Sequence, residues 1–274
     1  NYNYKNKSTI FNTNINLNSS NIHLENINYF KPINKKAILN VNGYLSKNKK
    51  ILKNLKYEEG KNHVLIKNLR LNDKIQIYDF DQISVNTLKD NIFRNNFSIY
   101  KKKKIINFSG TKYDATYFFK NLNKNNKKRI FSEKFNGKIS FKIDEIVSEN
   151  EPLFDFAGFG LIKLGRLHEL TAKANYSDNE LLEASINTID KNKKRLFITS
   201  DRAKPFIKNF KFIKGFEGGN LEYTSNYNDI SSKSNLKIHD FKLQDVPILA
   251  KLLSLASLQG FADLLTGEGI RFKE

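Results

Sequence analysis

The side chains able to do acid–base, nucleophilic or metal chemistry are few and scattered in this chain. His23, His63, His168 and His239 lie far apart, without the short helical spacing of a metal or catalytic pair. His239 stands beside Asp240 in an alternating segment and reads as half of a surface pair. Asp144 and Glu145 are adjacent, so on a strand they point to opposite faces and cannot share one substrate as acid and base. Cysteine is absent, which excludes disulfides, thiol nucleophiles and thiolate metal sites. There is no G-x-S-x-G elbow, phosphate-binding loop or dinucleotide fingerprint. These residues point to a protein that is not an enzyme and that uses no cofactor and no metal.

The pattern around those residues is strongly two-fold. In "FNTNINLNSS", Phe11, Thr13, Ile15 and Leu17 alternate with asparagines, as in a strand with one apolar and one wet face. The same alternation marks "AILNVNGYLS", "KIQIYDFDQISV" (Lys74 to Val85), "NGKISFKIDEIV", "LHELTAKANY", "ELLEASINTID", "RLFITSD", "GGNLEYTSNYND" and "SNLKIHDFKLQD". Short polar connectors such as "SKNKK" and "DKNKK" suit hairpin loops, so the expected fold is mainly β, an antiparallel meander. Helical patterns are few. Asp114 to Leu122 puts Ala115, Phe118, Phe119 and Leu122 on one face behind Asp114 as cap, and "SDRAKPFIKNF" supports a turn or two. The stretch Ser148 to Gly160 is the best candidate for an internal break; otherwise 1–274 reads as a single segment.

Composition sets limits. The 274 residues are 39% hydrophobic and 12% aromatic, with 22 Phe, enough for a packed core. Methionine is absent even at position 1, which reads as an excerpt of a longer chain. The net charge of +19 comes mostly from Lys, alongside inflated Asn and Ile, the bias of an AT-rich coding sequence. An anionic lipid surface is the next reading of that charge, ahead of nucleic acid. Lys101 to Lys104 and the cluster Lys124 to Arg129 look like solvated loop charge, with no interleaved aromatics to stack bases.

Near the end the character changes. Residues 245–266 form a Leu-rich insert: Asp245 is placed as N-cap, Pro247 in the first turn, and Gly260 where a helix can end. Leu249, Leu252, Leu253, Leu255 and Leu258, then Phe261 and Leu264, supply its apolar side chains, and Gly267 and Gly269 follow as turns. Lys251, Gln259, Gly260 and Asp263 interrupt the run from Pro247 to Leu265, so it is not a spanning helix. One apolar face on a long meander must be covered by a second sheet, by helices or by an apolar ligand. Periodicity alone leaves sandwich, closed barrel and lipid-filled groove open.

Two segments resemble a known family. "LKIHDFKLQDVPILAKLLSLASLQGFADLLTGEGIRF" is similar to the C-terminal region of AsmA-like proteins of the YhdP/TamB type, through Asp240, Phe241, Asp245, Pro247, Leu252 to Leu258, Gly267, Gly269, Ile270 and Phe272. "RLFITSDRAKPFIKNFKFIKGFEGGNLEYTS" resembles the segment before that family's Gly-Gly strand, with Asp201, Gly218 and Gly219 matching; Arg202 to Lys204 depart from it, where smaller residues are expected. "FSGTKYDATYFFKNL" is similar to a third segment. The resemblance covers about the last 170 residues of the 274 and implies a repeating β-groove: a long, twisted antiparallel meander curled into a U-shaped apolar trough.

It also implies a role. Such proteins are anchored in the inner membrane of Gram-negative bacteria, extend through the periplasm and carry phospholipid toward the outer membrane, supporting its barrier. The partners would be phospholipid acyl chains, and both membranes through parts outside this stretch, with no nucleic acid and no metal. The alternation nominates Ile139, Phe141 and Ile143, then Leu196 and Ile198, then Leu236 and Ile238 as lipid-groove side chains. The Leu-rich helix would cover the trough or touch a membrane. The competing expectation is a non-transporting envelope scaffold with a closed β-sandwich core.

Overall fold

The structure is a computed structural model and describes residues 2–3, 7–75, 77–117, 136–148, 151–177, 180–190, 193–207, 216–228, 230–243 and 270–272. In chain order its strands are β1 (Tyr2–Asn3), β2 (Ser8–Asn16), β3 (Ile22–Leu24), β4 (Tyr29–Lys31), β5 (Ile38–Ser46), β6 (Lys50–Glu59) and β7 (Asn62–Leu71). Then come β8 (Ile77–Asp79), β9 (Gln82–Lys89), β10 (Ile92–Lys102), β11 (Ile105–Asp114), β12 (Gly137–Val147) and β13 (Leu153–Lys163). The rest are β14 (Arg166–Asn175), β15 (Leu181–Thr188), β16 (Lys194–Ser200), β17 (Phe216–Tyr227), β18 (Ser232–Leu243) and β19 (Ile270–Phe272). A 3-10 turn at Glu25–Ile27 and a short helix α1 at Lys204–Ile207 are the described helical elements. The chain is therefore mainly β, as its alternation predicts.

The chain divides into two compact units, Asn1–Leu170 and Thr171–Glu274. The division falls inside β14 and not at Ser148 to Gly160, much of which lies within β13. In the first unit the ladder runs β1, β2, β5, β6, β7, β9, β10, β11, β12, β13. The stretch Lys74 to Val85, read above as one strand, is split: β8 pairs with the end of β7 and β9 with the rest of it. The meander is also not wholly antiparallel, because β11 and β12 run parallel. A parallel neighbour needs a long return connection, and residues 115–136 separate the two strands in the sequence.

Bulges interrupt the ladders at Asn42/Gly43, Phe93/Asn95 and Asn96/Phe97. Each adds twist and bends its strand. Gly110 shows how tightly one bend is packed: a Cβ there would overlap the Asn96 carbonyl and Phe97.

In the second unit β15, β16, β17, β18 and β19 pair antiparallel in sequence order. Gly219 (φ 85°) and the facing Asp240 (φ 55°) leave the ladder at one step. That kink turns Phe216 and Phe241 onto the side of Leu221 and Ile238, where their rings stack at 5.1 Å. The core gathers Ala203, Ile207, Phe216 and Leu221 under α1. Arg202 has a local role: its guanidinium lies 5.2 Å from the centre of the Tyr176 ring and pairs with Glu180.

Candidate functional site: an apolar sheet face

Cross-strand partners share a face of the sheet, so the register of the first unit can be read across its strands. One row runs Ile15, Leu39, Tyr57, Val64, Val85, Phe97, Gly110, Ile143, Phe156. The row beside it runs Thr13, Val41, Leu55, Ile66, Ile83, Ile99, Phe108, Phe141, Gly158. From β2 to β13 this face is apolar almost without interruption. Phe108, Phe141 and Phe156 form an aromatic chain along it, with centroids 6.3 and 5.7 Å apart, and Phe97 and Tyr113 pack edge-on to Phe108.

The other face is its opposite in chemistry. One row reads Asn12, Asn42, Asn54, Lys67, Gln82, Tyr100, Asn107, Ser140, Phe159, and the next Asn14, Asn40, Lys56, Leu65, Ser84, Ser98, Ser109, Lys142, Ala157. Ser84 and Ser98 share a hydrogen bond at 3.0 Å, and Ser140 donates to Asn107 at 2.9 Å. The Asn- and Lys-rich composition is thus sorted onto one face of the sheet.

The apolar face ends in a buried polar row, and a strap lies on it. Glu59, Thr87, Asn95 and Asp114 are all buried. The segment between β2 and β5, which carries β3, the 3-10 turn and β4, crosses them. Tyr29 donates to Glu59 and shares a hydrogen bond with Tyr57 at 2.8 Å. Asn95 donates to Thr87 and to the carbonyl of Ile27, each at 2.8 Å. Asn28 and Arg94 donate to Asp114 at 3.1 and 2.6 Å, and Tyr113 donates to the carbonyl of Asn26. The strap is tied within itself by Lys31, fully buried, whose ammonium donates to the carbonyls of Leu17, Ser20 and Pro32 at 2.9, 2.9 and 3.0 Å.

The contacts between strap and polar row shape the titration of their members. Burial raises the Asp114 carboxyl, but hydrogen bonds from Thr116 and Asn28 and the Arg94 charge outweigh it and hold the group below the usual carboxylate range. Burial, then the neighbouring Asp114 charge, pushes Tyr113 up to about 12. Tyr29 is raised too, by burial first and then by its hydrogen bonds to Tyr57 and Glu59, so it stays a donor.

The nominated groove residues can now be placed. Ile139, Phe141 and Ile143 all lie on the apolar face, but not alike. Ile139 and Ile143 are 8% and 1% exposed and serve the core, whereas Phe141 is half-buried and flanked by two other rings. Leu196, Ile198, Leu236 and Ile238 share one face of the second unit through Tyr223 and Leu221, with Leu236 exposed at 42%. Leu249, Leu252, Leu253, Leu255, Leu258, Phe261 and Leu264, with Asp245, Pro247, Gly260, Gly267 and Gly269, lie outside the described residues, as do Phe118, Phe119 and Leu122. Sequence reading missed Phe97, Phe108 and Tyr113, whose alternation is broken by the bulges at Asn95 and Asn96, and it missed the strap. "NYFK" carries no periodic signal, and a buried lysine looks like any other lysine in a chain so rich in them.

Among the described residues there is no cluster of His, Cys, Asp or Glu able to hold a metal ion, and no helix is long and apolar enough to cross a membrane. Compared with known protein families, with curated proteins and with solved structures, the chain matches none of them.

Proposed function

We propose that this chain is a lipid-carrying segment of a bridge-like transfer protein, of the AsmA-like kind that it resembles, working in the periplasm between the two membranes of a Gram-negative envelope. The observation that carries the proposal is the apolar face running almost without a polar break from β2 to β13, backed by a face of Asn, Ser and Lys. The strap lies over its end, at Glu59, Thr87, Asn95 and Asp114, and reaches Tyr57. Val64, Val85, Phe97 and Ile143 of the first row are buried, and Val41, Leu55, Ile66, Ile83, Ile99 and Phe141 of the second are half-buried.

The mechanism is replacement of solvent. Acyl chains lie along Val41, Leu55, Ile66, Ile83, Ile99 and Phe141 while head groups remain in water, and each methylene withdrawn from water contributes about 0.8 kcal/mol. The face is continuous, so a chain sliding from strand to strand trades one set of apolar contacts for an equal set. No bond is made or broken.

Native mass spectrometry of the purified chain, with organic extraction of what it carries, tests this. The expected result is copurified phospholipid, lost in Phe141→Glu while the variant keeps the wild-type β-sheet circular dichroism and a cooperative melt. A lipid-free wild type whose melting is insensitive to added phospholipid would point instead to a dry envelope scaffold and overturn the proposal.

A further inference from the structure

The strap marks one edge of the first unit's sheet, and the edge at the other ends of the same strands has a different character. It is made by the β5–β6 turn, the segment around β8, the β10–β11 turn, the start of β12 and the β13–β14 turn. Contacts join these into one border. Lys50 pairs with Asp73, Arg70 with Asp79 and Asp81, and Lys101 with Asp79. The Lys138 amide donates to the Lys104 carbonyl at 2.9 Å, and the Leu164 amide to Asn136 Oδ1 at 2.9 Å.

Charge is unequal between the two edges. On the strap edge several cations meet carboxylates, Arg94 with Asp114, Lys35 with Glu59, Lys56 with Glu58 and Lys112 with Glu145, and Lys61 and Lys89 are exposed beside them. On the far edge Asp73, Asp79 and Asp81 are already engaged by Lys50, Arg70 and Lys101. Lys47, Lys49, Lys102, Lys103, Lys104 and Lys138 add further charge there, and all of them are exposed. Between them stand apolar side chains that the sheet does not bury: Ile75 at 73% exposure, Leu164 at 66%, and Ile77 and Ile105. Single exposed apolar side chains are ordinary on a protein surface, and the strap edge has Ile92 and Phe93 as well. What sets the far edge apart is that they stand among six exposed lysines.

We infer that this far edge is a docking surface for an anionic phospholipid bilayer, with Lys102, Lys103 and Lys104 drawn to head-group phosphates and Ile75 and Leu164 inserted at the interface. A nucleic acid would use the charge but has no use for isolated aliphatic tips; a protein patch would be expected to spare so dense a run of lysines. The inference does not depend on lipid occupying the apolar face, and it gives the molecule a lateral membrane contact that conduction alone does not require.

Co-sedimentation of the whole chain with phosphatidylcholine vesicles, with and without phosphatidylglycerol, tests it. Binding is expected to the anionic vesicles only and to weaken steeply with salt. Lys102→Gln/Lys103→Gln/Lys104→Gln should weaken it on the order of 100-fold. Ile75→Asp/Leu164→Asp should lose the part that survives high salt. Lys61→Gln/Lys89→Gln, on the strap edge, should bind like wild type, and so should Phe141→Glu, which separates this result from the fate of the lipid-carrying proposal. Equal binding to neutral vesicles would overturn the inference. So would indifference to the Lys102 to Lys104 changes, or tighter binding to RNA than to anionic vesicles that ignores Ile75 and Leu164.

Discussion

Two buried ions dominate the residue scale. Asp114 and Lys31 are each 0% exposed and each is satisfied, one by Arg94, the Asn28 side-chain amide and the Thr116 backbone amide, the other by carbonyls. A buried ion with its partner removed costs about 3 kcal/mol or more, so both hold the strap only while their partners stay. For Asp114 the sign is set by its lowered pKa. The stability it lends is complete above the ordinary value of 3.8 and is lost as pH falls through the lower folded value. Urea midpoints should therefore fall in the wild type over the acid window that opens below that ordinary value. Asp114→Asn should be less stable at neutral pH and flatter across that window. An equal acid slope in both proteins would mean that Asp114 does not control it.

At the scale of elements, the strap is the unusual piece. A segment with two three-residue strands and one 3-10 turn has too little regular hydrogen bonding to stand alone. Its order comes from the polar row beneath it and from the Lys31 ammonium, which draws the carbonyls of Leu17, Ser20 and Pro32 to one point. Lys31→Met keeps most of the side-chain volume and leaves those carbonyls without their donor. The expected outcome is faster hydrogen exchange at Asn28 and Asn34, whose amides bond Glu25 and Asn18, with exchange in β10 to β12 little changed. Unchanged protection at those amides would show that the polar row alone holds the strap.

The whole molecule holds two compact units, each with a core of its own: Ile106, Ile139 and Ile162 in the first, and Ala203, Ile207, Phe216 and Leu221 in the second. Leu→Ala or Ile→Ala at a fully buried site costs about 2–5 kcal/mol. Ile143→Ala and Leu221→Ala should thus each raise hydrogen exchange mainly in its own unit, residues 1–170 for the former and 171–274 for the latter. Protection lost equally throughout by either change would show one cooperative unit.

Period-two alternation determined the β class by itself, because a strand with one apolar face needs nothing beyond its own residues to declare that face. It also placed Phe141, Ile139 and Ile143 on a common side, since side chains two apart on a strand share a face. Only tertiary structure decided the rest. The parallel pairing of β11 with β12 depends on where a return connection sets the chain down, which no local pattern encodes. Phe97 and Tyr113 join the apolar face through bulges that shift the alternation by one residue, and a single-residue shift cannot be seen without the facing strand. The lysines of "SKNKK" and "YKKKKI" are indistinguishable in sequence from those of "KYEEGK". What separates them is which end of a strand each turn occupies and which of them has a carboxylate within reach: Lys56 meets Glu58, Lys50 meets Asp73 and Lys101 meets Asp79, whereas Lys102, Lys103 and Lys104 stand exposed at the turn.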